Sequence, residues 1–162
     1  MPELSVNAVV ICDDIRKEVT NKDILIGVYG GALVVQSFPA VISVAVWLEL
    51  TPSSIGSHEI DIRLKSSVLS SDDPVNLPPG VPREFGLRMM LEVSELNEPV
   101  TIGTPQATLL FSTPGTLEVW IKWDQEEDWR LVKTKRVFSA PLQQAKPTEI
   151  HYEPPPGSRP FG

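Results

Sequence analysis

The chain has a single cysteine, two histidines, two tyrosines and fewer basic than acidic residues. One cysteine cannot close an internal disulfide, so nothing in the sequence asks for an oxidising compartment. With 14 Lys and Arg against 21 Asp and Glu, the net charge is -7. That sign opposes nucleic-acid backbones and anionic lipid surfaces, both of which need a cationic face. Long apolar runs are also missing: the stretches near Ala32–Val35 and Val41–Leu50 fall far short of a membrane span. "MPELSVNAVV" carries no basic residue before its apolar run and does not read as a signal peptide. The expectation is a cytoplasmic protein with no membrane and no nucleic-acid partner.

Signatures of catalysis are scarce as well. There is no G-x-S-x-G elbow, no phosphate-cradling G-x-x-x-x-G-K-[ST], no H-E-x-x-H and no C-x-x-C. "GVYGG" lies between strand-like runs and opens no helix, so it reads as a turn or bulge rather than a dinucleotide loop. No cofactor and no metal site are expected. Helical periodicity is absent too.

What the chain does have is alternation of period two. In "HEIDIRLK" His58, Ile60, Ile62 and Leu64 face one way, and Glu59, Asp61, Arg63 and Lys65 the other. "VISVAVWLEL", "EFGLRMMLEV" and "TLEVWIKW" repeat the pattern. "LSVNAVVIC" and "DILIGVY" are apolar on both faces, as central or covered strands are, and "KEVTNKD" supplies a turn with Asn21 suited to a left-handed conformation. "VTIGTPQATLLF" is interrupted by Gly103 and Pro105, which implies a bulge, a sheet edge or two short strands. "WDQEEDW" reads as a hairpin loop, and the Lys- and Arg-rich strand after it as a blunted edge. About eight or nine short strands predict an all-β fold, a two-sheet antiparallel β-sandwich of immunoglobulin-like or C2-like type. This domain spans residues 1–140. Residues 141–162 hold six of the sixteen prolines and read as a flexible, Pro-rich tail. "EPPPGSRP" within it is able to offer a polyproline helix to a partner's aromatic groove.

Candidate residues follow from these placements. Cys12 shares an alternating face with Leu4, Val6, Ala8 and Val10, and is read as a small core residue rather than a nucleophile. The pairs Asp13–Asp14 and Asp72–Asp73 and the "DQEED" loop raise a calcium-dependent lipid module, yet the D-x-D spacing that converges on one ion is missing. Carboxylates brought together from separate loops would make a hydrolase, and nothing in the spacing selects them. Trp47 and Trp120 fall on the polar sides of their strands. They serve there either as contacts for a protein or sugar, or as surfaces covered by the long loop or tail. Together with the tail they favour a non-enzymatic module that binds a protein partner or forms a homo-oligomer.

"CDDIRKEV", "KDILIGVYGG" and "FPAVISVAVWLEL" resemble a family of small uncharacterised bacterial proteins. That family opens with a Cys-Asp-Asp-x-Arg segment followed by a Lys-x-x-Leu-Ile-Gly-Val-Tyr strand. The resemblance reaches to Leu50 and touches "PGTLEVWIKWD" more loosely. It implies one compact β domain in a bacterial cytoplasm and brings no activity, ligand or partner. Asp13, Asp14 and Arg16 lead from a first strand into its connection with the second. A buried or half-buried Asp–Arg pair is expected to tie those ends together.

Overall fold

The structure, a computed structural model, describes residues 4–68 and 80–140. The expected tail at 141–162 and the acids Asp72 and Asp73 lie outside these residues. Among the described residues eleven strands run in order: β1 (Leu4–Cys12), β2 (Asp14–Lys17), β3 (Asp23–Ile26), β4 (Leu33–Val35), β5 (Ala40–Pro52), β6 (Gly56–Val68), β7 (Glu84–Val93), β8 (Val100–Gly103), β9 (Ala107–Phe111), β10 (Gly115–Trp123) and β11 (Arg130–Ser139). No helix occurs among the described residues. The protein is all-β, with more strands than the eight or nine expected, because short ladders such as β2, β3 and β4 carry too few residues to show a period.

Strand β5 organises the first sheet. One of its edges pairs with β1; the other pairs first with β9 and then with β8. The break at Gly103 and Pro105 therefore makes two strands. Buried Thr104 closes the gap between them: its backbone donates to the Val46 carbonyl and its hydroxyl accepts from the Val46 N–H, both at 2.9 Å. The second sheet has the order β4-β11-β10-β6-β7. All pairings are antiparallel except β4 with β11, which is parallel, so a purely antiparallel fold is corrected at that edge. β11 does form an edge for most of its length, since β4 reaches only Val137–Ser139.

The inward side chains of both sheets join one apolar cluster. Val44, Val46, Leu48 and Leu50 come from β5, Ile60, Ile62 and Leu64 from β6, and Leu117, Val119, Ile121 and Trp123 from β10. Each such fully buried aliphatic side chain contributes about 1.5–3 kcal/mol from area removed from water.

Two expectations change at β1. The strand pairs only with β5, so it is an edge rather than a central strand. A bulge between Val6 and Ala8 also shifts its register. Leu4 and Ile11 both reach the core cluster, and Cys12 falls on the opposite face, opposite Ala45. Cys12 is buried there because the β2–β3 hairpin folds over that face. The hairpin turns at Asn21, which has φ 64°, and the Glu18 N–H bonds the Lys22 carbonyl at 2.9 Å. Ile15 of the hairpin lies against Gly103, where an added Cβ would come within 3.2 Å of its side chain. The Trp47 indole N–H donates to Asp23 Oδ2 at 2.9 Å, with Lys17 3.4 Å from the other oxygen of the same carboxylate.

That contact has a pH consequence. The hydrogen bond from Trp47 and the charge of Lys17 hold the Asp23 carboxyl below the usual carboxylate range, against the opposing effect of burial. The native state thus favours the ionised form. The resulting stabilisation is full above about pH 4 and is lost as pH falls through the lower native value. Asp23→Asn is expected to reduce stability at neutral pH and to lessen its dependence on pH below about 4. Denaturant melts across that range check this; parallel acid profiles for variant and wild type would contradict it.

Candidate functional site

The Cys-Asp-Asp-x-Arg segment builds a corner between β1, the hairpin and the Val28–Tyr29 segment. Cys12 is fully buried, and its Sγ lies 3.4 Å from the Asp14 carbonyl and 3.7 Å from that of Ala45. Burial pushes the thiol up, and the neighbouring Asp13 charge adds to it, the reverse of what a nucleophile needs. The Asp13 N–H donates to the Ile26 carbonyl at 2.9 Å, and its own carbonyl accepts from Gln106 Nε2 at 2.9 Å. Its carboxylate accepts the Tyr29 hydroxyl and lies over Gly27. Gly27 has φ +66°, and a Cβ there would run into Asp13 Oδ2. Burial, then the bond to Asp13 and its charge, push the Tyr29 hydroxyl up to about 12.

The expected Asp–Arg tie does not join two ends. Asp14 and Arg16 pair at 3.2 Å as neighbours on one face of β2, with their side chains 42% and 70% exposed. Residues two apart on a strand meet readily but link nothing distant. Asp13 and Tyr29 make the tie instead. The signal for it was the tyrosine of "GVYGG".

Trp47 and Trp120 are not brought together. Trp47 belongs to the first sheet and is half-buried under the β2–β3 hairpin, neither of the covers that its position suggested. Trp120 belongs to the second sheet, half-buried on its outer face, where its indole N–H donates to Glu118 Oε2 at 2.9 Å. Register places Gly86, Arg63, Trp120 and Leu131 in one row across four strands. The Arg63 guanidinium lies 4.1 Å from the centre of the Trp129 ring and 2.8 Å from Glu84. Leu131 is 48% exposed. Arg88 grips Asp61 through two hydrogen bonds of 2.7 and 3.0 Å and holds that carboxyl below its usual range. A shallow depression of about 300 Å³ lies between Arg63, Gly86, Arg88 and Trp129. Trp129 was missed in the sequence; its sign was an indole inside the otherwise polar "DQEEDW" loop.

A larger cleft of about 730 Å³ opens at the end of β6 and β10, between His58, Glu59, Met90, Asp124 and Glu126. His58 is buried and stacks on Trp123 with ring centres 4.8 Å apart. Its Nδ1 lies 2.8 Å from Asp124 Oδ2, and its Nε2 lies 3.1 Å from the Ser54 carbonyl and 3.3 Å from the Ser54 hydroxyl. The order Ser–His–Asp matches a hydrolytic triad. Two features weigh against that use: Ser54 does not line the cleft, and its carbonyl approaches Nε2 more closely than its hydroxyl does. Asp124, at φ 48°, also accepts the Glu59 N–H at 2.8 Å and donates its own N–H to the Glu59 carbonyl at 2.7 Å. The arrangement clasps the β5–β6 turn, the start of β6 and the β10–β11 turn. His58 was legible as an inward residue; Asp124, which lies far along the chain, was not.

For a calcium site, the Asp13 carboxylate is already committed to Tyr29. Among the described residues no group of three His, Cys, Asp or Glu is placed to hold a metal ion, and no helix is long and apolar enough to cross a membrane.

A family model described as a family of unknown function (DUF6941) matches residues 7–132. The matched span includes the Asp13 corner, the His58 cleft and the Trp120–Trp129 face. A search of curated proteins returned no match.

The Asp13 corner makes a direct prediction. Gly27→Ala forces a left-handed backbone on alanine and displaces the Asp13 carboxylate, so it is expected to cost on the order of 1–3 kcal/mol. Tyr29→Phe, which keeps the ring and removes the hydroxyl, is expected to cost about 1.5–3 kcal/mol, the usual worth of a hydrogen bond to a charged group. Urea titrations give both values; neutral substitutions at both positions would show that the corner does not hold the hairpin down.

Proposed function

We propose that this chain, which belongs to the DUF6941 family of unknown function, is a non-enzymatic binding module. In this reading the two larger sheets form an immunoglobulin-like or C2-like sandwich in a bacterial cytoplasm. The outer face of the five-stranded sheet meets a protein partner.

The observation that carries the reading is the row of Arg63, Trp120 and Leu131 with Trp129 stacked on Arg63. Tryptophan and arginine are the side chains in which interface energy concentrates, and a rim of mixed charge fixes register between partners. Asp61, Glu84, Glu118, Arg88 and Lys122 supply that rim, with both signs interleaved. The net charge of -7 supports a protein rather than a nucleic acid as the ligand. Trp47 has no part in this surface, since its indole is bonded beneath the hairpin.

A second reading, a hydrolase, draws on the Ser54–His58–Asp124 contacts and on Glu59 and Glu126 beside the same cleft. His58→Ala separates the two. It removes any hydrolysis of a panel of ester, peptide and glycoside substrates if the cleft is catalytic, and leaves partner capture intact if the sheet face is the working surface.

Affinity capture from cells compares the wild type with the double variant Trp120→Ser, Trp129→Ser. Proteins retained by the wild type are expected to be lost, with binding weakened by about 30-fold or more, as for paired hot-spot residues. The thermal midpoint should stay within a few degrees. An identical set of proteins retained by both forms would defeat the reading.

A further inference from the structure

We infer that β7 is a pairing edge for a second copy of this chain, joined antiparallel about a two-fold axis at Met90. The proposal concerns the edge of the sheet that carries the Trp120 face; it shares Arg88 with the rim of that face but does not require the face to bind a partner.

β7 ends the five-stranded sheet, and among the described residues no strand pairs with its far side. The direction of its free groups follows from register. One step beyond the Lys65–Glu84 pair that ends the ladder, the Ser66 N–H bonds the Arg83 carbonyl at 2.8 Å, so the register continued by one residue makes this a hydrogen-bonded pair. Alternation then turns the N–H and C=O groups of Phe85, Leu87, Met89 and Leu91 toward β6. Those of Glu84, Gly86, Arg88, Met90 and Glu92 point outward along the edge. An open ladder of this length is a template for another strand.

The side chains beside it are also incompletely covered. Phe85, Leu87, Met89 and Leu91 face the core side but are only half-buried, and Met90 on the other face is 61% exposed.

The charge pattern selects the occupant and its register. With Met90 on the axis, Arg88 of one copy faces Glu92 of the other, Met89 faces Leu91 and Leu87 faces Val93. Both faces of the new ladder are then complementary. Centring on Arg88 would overlap more of the strand, but it sets Arg88 against Arg88 and Glu84 against Glu92. Centring on Gly86 pairs Arg88 with Glu84 but engages only the stretch from Glu84 to Arg88. Hydrogen bonds donated by Arg88 to the Asp61 carboxylate fix its guanidinium beside the edge. The two-fold operation makes one continuous sheet with both Trp120 faces on the same side, so the dimer presents them bivalently.

Sedimentation equilibrium on the full chain tests this. The wild type is expected to show a concentration-dependent monomer–dimer equilibrium. Met90→Lys, which sets two ammonium groups on the axis, and Glu92→Arg, which faces Arg88, are each expected to weaken dimerisation at least about tenfold with unchanged melting. Arg88→Glu alone should also be monomeric. An equimolar mixture of Arg88→Glu and Glu92→Arg chains should recover the dimer, because opposite charges then meet on both sides of the axis. If Arg88→Glu fails to fold, the Met90 and Glu92 variants decide the matter. A wild type monomeric at every concentration, or a dimer untouched by Met90→Lys and Glu92→Arg, overturns the proposal. So does a dimer that is lost in Trp120→Ser but kept in Glu92→Arg.

Discussion

The hydrogen bond from Tyr29 to Asp13, made over the bare backbone of Gly27, decides which sheet face is covered. It anchors the chain where β1 gives way to the β2–β3 hairpin, and the hairpin then lies on the outer face of the first sheet. Cys12, Ala45 and Trp47 are sheltered there. Trp120 and Trp129, half-buried on the outer side of the five-stranded sheet, take no part in this corner.

A second set of bonds works at the opposite end of the ladder system. Asp124 reaches across to His58 and to the backbone of Glu59, so the β10–β11 turn is held against β6. That turn carries Trp129, which stacks on Arg63. The clasp and the aromatic row are joined along the chain by the six residues from Asp124 to Trp129, and the two surfaces share no side chain.

Most of the four long ladders were legible because burial on one side and water on the other impose a period of two, as His58 to Leu64 display. β1 was misread for a physical reason. A bulge at Asn7 changes the phase midway, so counting by twos put Cys12 with Leu4, whereas the pairing puts it opposite Ala45. Strands β2, β3 and β4 are too short for any period to register. The Arg63–Trp129 stack escaped notice because its partners come from elements far apart in the chain, brought together only by the β6–β10 pairing.

The sequence by itself determined an all-β chain, the turn at Asn21, the break at Gly103 and Pro105, and the inward stripe of β6. These are local consequences of side-chain branching, backbone freedom and alternation. Only the tertiary structure decided that Trp47 is bonded to Asp23 while Trp120 lies half-buried on the outer face of the other sheet, that Asp13 answers Tyr29 rather than Arg16, and that among the described residues β7 ends its sheet. Each of these depends on which strand lies beside which, and strand neighbours are chosen by the fit of whole faces. No single segment carries that information.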